Sequence, residues 1–241
     1  MKLDAPPPAL ALLAEWPRGA GNLARLALAW RGLGDVPRGD GRPVLVLPGL
    51  VNSDRSNFAM RAFLRRVGYR PYAWRLGRNL GVRAVGRDAE RLIARIEAIH
   101  AETGAKVTLV GISLGGIMAR LAARRRPDLV AGVVTISAPF AGPATATNVW
   151  RAFEWLTGER IADPAVLARL REAAEPLAVP ATAIWSRSDG LVNGLICREG
   201  DGRCDAIEVR SSHIFVQLNP RVLRALAQAL AGQRGSGSPA R

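Results

Sequence analysis

The segment that most limits how this chain can fold runs from Val107 to Arg126. A short apolar strand, Val107–Val110, passes through Gly111-Ile112-Ser113-Leu114-Gly115 into a helix-like stretch that opens on small residues. A G-x-S-x-G pentapeptide between a strand and a helix is the pattern of a nucleophile elbow. The turn is so tight that the flanking positions must be small, and the serine backbone is forced into a strained conformation. That strain lifts the hydroxyl clear of a sheet edge. The pattern therefore predicts a parallel strand, a sharp turn and a helix packed back on the sheet, with Ser113 as candidate nucleophile.

A serine hydroxyl needs a base to take its proton, and histidine is the usual one near neutral pH. The chain has two, His100 and His213. His100 ends a strongly helical run, where a cation suits the helix dipole, and it lies too close in sequence to fold back on Ser113. His213 follows a short alternating stretch, Ala206–Arg210, that reads as an edge strand. It is the candidate base. The orienting carboxylate is expected at Asp189, just past the β-rich run Ala181–Ser186 and followed by glycine. Ligand sites in open α/β sheets gather at that carboxyl edge. Asp201 and Asp205 also precede His213, but they sit in a loop that reads as a solvated turn. Ser113, Asp189 and His213 each follow a strand, in that chain order.

An oxyanion formed on a substrate carbonyl needs backbone donors. One is expected from Leu114, directly after the serine. The other is expected from Leu50, because the apolar run Pro43–Leu47 reads as a buried parallel strand and ends in Pro48-Gly49-Leu50.

Taken together, Val44–Leu50, the elbow Gly111–Gly115, Ser188-Asp189-Gly190 and Ser212-His213 resemble the α/β-hydrolase superfamily, especially its bacterial lipase and esterase branch. The resemblance spans about residues 43–232. Two positions depart from it: Ile112 stands where many lipases have histidine, and the loop Leu47-Pro48-Gly49-Leu50 lacks a His-Gly pair. The resemblance implies a mainly parallel sheet of about six strands flanked by helices, beginning later than in larger members of the superfamily. It also implies a serine hydrolase that cleaves carboxylic esters with an apolar acyl group through an acyl-enzyme, with no cofactor and no metal. An acyltransferase or thioesterase using the same three residues, and a non-catalytic lipid-binding protein on this fold, stay open beside it.

The rest of the chain divides around that body. Residues 1–40 form an arm with helical spacing over Leu10–Trp16 and Asn22–Leu33, broken by Pro17 and Gly19. Leu23, Leu26, Leu28 and Trp30 would dock on the body or on a membrane surface. Helices are expected over Ser56–Val67, Val82–Glu102 and Leu114–Arg126, with strands over Tyr69–Leu76 and Ala131–Ser137. Residues 138–180 form an insertion where such proteins place a cap. Trp150, Phe153 and Trp155 would line an apolar acyl pocket there; a single amphipathic helix lying on the sheet is the alternative. Residues 233–241 are rich in Gly and Ser and read as a disordered tail.

The net charge of +14 comes almost wholly from arginine, lysine appearing only at positions 2 and 106. The arginines are spread through every helix and no nucleic-acid module is visible, so the charge reads as a solvated surface. The expected partner is a small ester or lipid, with weak membrane-surface association at most. No apolar run approaches the roughly 20 residues that span a bilayer, and the first residues lack a secretory layout, so a cytoplasmic location is expected. Cys197 and Cys204 are spaced to close a small loop, although two thiols in such a compartment are more often free.

Overall fold

The structure is a computed structural model describing residues 2–199 and 204–233. Asp201 and residues 234–241 of the expected tail lie outside the described residues. Six parallel strands form one sheet in the order β2-β1-β3-β4-β5-β6. They are β1 (Pro43–Leu47), β2 (Arg70–Ala73), β3 (Val107–Ile112), β4 (Val130–Ile136), β5 (Ala181–Trp185) and β6 (Asp205–Glu208). The chain reverses its direction of travel across the sheet between β2 and β3, so the carboxyl ends near β1 and β3 form a crevice.

Successive side chains of a strand point to opposite faces, and the apolar central strands feed two cores. Val44, Val46, Val110, Ile112 and Val134 join one, beneath helices α3 (Phe58–Arg66) and α9 (Pro220–Gly232). Leu45, Leu47, Leu109 and Val133 join the other, under α5 (Glu90–Thr103) and α6 (Leu114–Arg125). The edge strands β2 and β6 are largely uncovered.

Three expectations need correction. The arm does not break at Pro17 and Gly19. Helix α1 (Ala9–Leu13) ends at Ala14, and α2 runs unbroken over Glu15–Ala29. Pro17 is the third residue of α2, where a backbone N–H has no intrahelical acceptor, so its absence costs nothing. Gly19 lets α2 close on the His213 loop: a Cβ there would lie 2.8 Å from Ile214 O. Of the four expected docking residues, Leu26 is buried and Trp30 partly buried, while Leu23 and Leu28 are exposed.

The expected helix over Val82–Glu102 is two helices, α4 (Val82–Val85) and α5. Gly86 breaks the run at φ 89°, and a Cβ on it would collide with the Glu90 carboxylate. The insertion also holds two helices, α7 (Trp150–Thr157) and α8 (Pro164–Ala174). Fully buried Arg120 of α6 ties α8 down, donating to Ala173 O and Glu175 O and pairing with Glu199 at 2.6 Å. Its guanidinium also lies 4.0 Å from the Phe140 ring centroid.

Candidate active site

Ser113 sits between β3 and α6 with φ 51° and ψ −120°, a conformation that L-residues rarely adopt. The glycines on either side make it accessible to the chain. A Cβ on Gly111 would lie 2.3 Å from Gly115 O, and one on Gly115 would lie 2.6 Å from Pro48 O. The elbow is thus wedged against the turn that follows β1. Gly49 faces the serine, and a Cβ on it would stand 3.4 Å from Ser113 Cβ.

Leu50 and Leu114 line the same cavity as Ser113. Leu114 is the first residue of α6, so its N–H is free of the helix ladder. Among the described residues the Leu50 N–H has no backbone acceptor either. The turn carrying it is held by a residue the sequence reading missed. Buried Asn79 donates through Nδ2 to Pro48 O at 2.7 Å, exchanges backbone bonds with Val51 and Asn52, and accepts the Gly81 N–H. Nothing in the local pattern around Asn79 marks it, because its partners lie across the fold.

Asp189 and His213 are brought together. Asp189 Oδ2 lies 2.8 Å from His213 Nδ1, and the two side chains are 1% and 11% exposed. Asp189 Oδ1 accepts the N–H groups of Leu191 and Val192 at 2.9 and 2.8 Å, which holds the carboxylate in one orientation. With Nδ1–H donating to Asp189, Nε2 carries the lone pair a base needs. Desolvation pushes the imidazole pKa down, but the charge and hydrogen bond of Asp189 and the charge of Glu15 outweigh it, and the pKa lies above the ordinary histidine value. Among the described residues the His213 imidazole bonds to Asp189, its backbone N–H to Glu15 and its carbonyl to the Val216 N–H, and no bond reaches Ser113 Oγ. Such contacts are often loose in unliganded enzymes and tighten when substrate binds. Val192, bonded to Asp189, lines the Ser113 cavity.

The rival carboxylate Asp205 is exposed at the start of β6. His100 lies in the last turn of α5 with Nδ1 3.0 Å from Ala105 O. Glu15, the second residue missed in the sequence, is fully buried beneath the His213 loop.

The cavity beside Ser113 holds about 140 Å³ and is walled by Leu114, Ile117, Met118, Leu121, Trp150, Phe153 and Val166 among others. Trp150 and Phe153 therefore stand where an apolar pocket was expected. Trp155 does not. It is 83% exposed, two positions past Phe153 and so about 200° around α7 from it. Cys197 and Cys204 are both buried free thiols, not a disulfide. Burial raises the Cys197 thiol well above its usual range and Cys204 to about 11.

A six-stranded parallel sheet with this elbow and this crevice is an α/β-hydrolase fold. A family model described as the alpha/beta hydrolase fold matches residues 87–193. The chain is 48% identical over 64 residues to a triacylglycerol lipase of Vibrio cholerae, covering 26% of this chain and 20% of that protein. It is 33% identical over 107 residues to a triacylglycerol lipase of Pseudarthrobacter phenanthrenivorans, covering 42% and 34%. The matches thus span 20% and 34% of these curated relatives. Among solved structures, a monoacylglycerol lipase of Paleococcus ferrophilus superposes with a TM-score of 0.59 at 18% identity, over 82% of this chain and 97% of that one. A pyrethroid hydrolase of Sphingobium faniae gives 0.53 at 20% identity, over 81% and 98%. The chain thus has the α/β-hydrolase fold, and the proteins it is similar to are named as lipases and hydrolases. No helix among the described residues is long and apolar enough to cross a membrane.

Proposed function

We propose that this protein hydrolyses carboxylic esters with an apolar acyl group through a covalent acyl-enzyme. The observation that carries the reading is Ser113, strained at φ 51° and opening on an apolar cavity, with the free N–H groups of Leu50 and Leu114 beside it. Ser113 Oγ attacks the ester carbonyl carbon while His213 Nε2 takes its proton. The carbonyl oxygen becomes an oxyanion held by the Leu50 and Leu114 amides, each contributing roughly 3–4 kcal/mol by analogy with other oxyanion holes. The tetrahedral species collapses, the C–O bond to the alcohol breaks, and His213 gives its proton to the departing oxygen. Water, deprotonated by His213, then attacks the acyl-serine. The second tetrahedral species expels Ser113, which recovers the proton from His213. Asp189 keeps the imidazole in the productive tautomer and stabilises its charged form.

The relatives named as lipases support an ester or lipid substrate. Leu10, Leu13 and Trp16 lie exposed on the arm, with Phe215 edge-to-face against Trp16 at 6.4 Å. This apolar surface is where an aggregated lipid would rest. Liposome flotation of wild type and Leu10→Ser/Leu13→Ser checks that contact; equal flotation of the two removes it.

The deciding test is hydrolysis of p-nitrophenyl acetate, butyrate, octanoate and palmitate, with Ser113→Ala in parallel. Activity abolished in the variant, with a fluorophosphonate labelling only the wild type, is the expected result. A variant as active as wild type would sink the serine mechanism.

A further inference from the structure

Glu15 is fully buried, and its carboxylate is saturated with donors. Oε2 accepts the backbone N–H of His213 at 2.7 Å and that of Ile214 at 2.8 Å. Oε1 accepts the N–H of Gly190 at 2.8 Å and a guanidinium N–H of Arg18 at 3.1 Å. Four donors fill the roughly four lone-pair sites of an ionised carboxylate. Burying such a charge is costly unless it is paired and hydrogen-bonded, and here it is both. The donors come from the residue after Asp189 and from His213 itself, 175 and 198 positions away in the chain.

We propose that Glu15 is a positioning residue for the Asp189–His213 pair, and so that the N-terminal arm is part of the active-site machinery. The proposal rests on the reading of His213 as the catalytic base. One carboxylate joins the loop after β5 to the loop after β6, fixing the distance across which Asp189 meets the imidazole. The arm is pressed onto the acid loop so closely that a Cβ on Gly190 would lie 2.3 Å from Ala11 O and 2.9 Å from Glu15 Cγ. Arg18 adds a bond to Ser188 O at 2.7 Å, and Asn148 and Asn193 reach Pro7 O, Lys2 O and Ala5 O.

The role is electrostatic as well as geometric. The charged groups around the imidazole are Asp189 from the acid loop, with Glu15 and its partner Arg18 from α2. Glu15 adds negative charge near the ring and favours imidazolium, the form that arises when the base takes the serine proton. Glutamine would turn an N–H₂ group toward backbone N–H groups and remove that charge. Aspartate keeps the charge but is one methylene short of the three N–H groups it must reach.

The experiment compares wild type, Glu15→Gln, Glu15→Asp and Ser113→Ala, each checked for folding by circular dichroism. It uses steady-state kinetics on p-nitrophenyl butyrate across pH and an NMR titration of the two imidazoles. In Glu15→Gln, kcat is expected to fall roughly 10- to 100-fold with KM little changed, the size of loss a small misplacement of catalytic groups causes. The His213 imidazole and the acid limb of the rate profile move to lower pH, while His100 does not move. Glu15→Asp keeps the limb near its wild-type place and recovers part of kcat. A Glu15→Gln protein with reduced thermal stability but wild-type kcat and an unmoved His213 titration overturns the proposal. If Glu15→Gln does not fold, Glu15→Asp decides: reduced kcat at unchanged KM supports positioning, and unchanged kcat overturns it. The NMR titration reads the Glu15–His213 coupling without turnover. An active Ser113→Ala therefore counts against the serine mechanism alone, and an unmoved imidazole in Glu15→Gln counts against Glu15 alone.

Discussion

Asp189 and His213 meet at 2.8 Å although they stand on loops after two different strands, and Asp189 spends its other oxygen on the Leu191 and Val192 amides. One oxygen thus anchors the loop while the other orients the ring. Asp189→Asn keeps the volume but offers an N–H₂ group or a neutral oxygen to Nδ1. We expect kcat to fall about 10³- to 10⁴-fold with the fold intact, by analogy with triads in which the acid is amidated. Single-turnover ester hydrolysis checks it, and a loss under tenfold would remove Asp189 from the orienting role.

The raised His213 pKa has two consequences of opposite sign. As a base His213 must be neutral, so ester hydrolysis should rise with pH through a value above the ordinary histidine pKa of 6.5. For stability, a raised folded-state pKa means that folding favours the protonated ring. That contribution is complete below the unfolded value and is lost as pH rises through the folded one. The gap in Tm between wild type and Asp189→Asn should accordingly be widest at mildly acid pH and narrow above the kinetic pKa. A gap that widens with rising pH contradicts the assignment.

Gly115 has no room for a methyl group, because a Cβ there would lie 2.6 Å from Pro48 O and 2.7 Å from Leu47 O. Both clashes are with backbone, which cannot swing away. Gly115→Ala is expected to destabilise the fold by about 3 kcal/mol and to displace the Leu50 turn. Urea denaturation measures the first effect and residual esterase activity of the folded fraction the second.

Asn79 joins the turn after β1 to the segment entering α4 through Pro48 O, Val51 and Gly81. Asn79→Ala leaves the buried Pro48 carbonyl without that donor, at a cost of about 1–3 kcal/mol. Because the Leu50 N–H rides on this turn, kcat should drop more than KM rises. A pure stability loss with wild-type kcat would confine Asn79 to a structural role.

Arg120 pairs with Glu199 where both are out of water, their side chains 0% and 9% exposed. Breaking a buried pair by removing one partner costs about 3–5 kcal/mol. Arg120→Leu should therefore lower the denaturation midpoint far more than Arg126→Leu, whose pairs with Glu97 and Asp128 lie at the surface. Equal midpoints would show the Arg120 pair to be solvated in solution.

Local signals carried the sequence reading a long way. The elbow was legible because Gly111, Ser113 and Gly115 are close neighbours, and a tight strand–turn–helix leaves its mark within five residues. Asp189 could be preferred over Asp205 because strand ends are readable from apolar runs, and β5 is such a run. The four central strands were visible for the same reason, since burial on both faces makes them largely apolar, whereas the edge strands β2 and β6 carry a weaker, mixed pattern.

What the sequence alone determined, then, was the parallel fold, which segments form its strands and the positions of the candidate serine, acid and histidine, all properties of short segments. Only the tertiary structure decided that α2 runs through Pro17, that Trp155 points outward while Phe153 lines the cavity, and that Asn79 and Glu15 hold the site. The physical reason is range. A polar residue on a helix or loop has the same local pattern whether water or a distant backbone satisfies it. Glu15 reads as an ordinary helix-start acid until packing places the Gly190 and His213 amides against it.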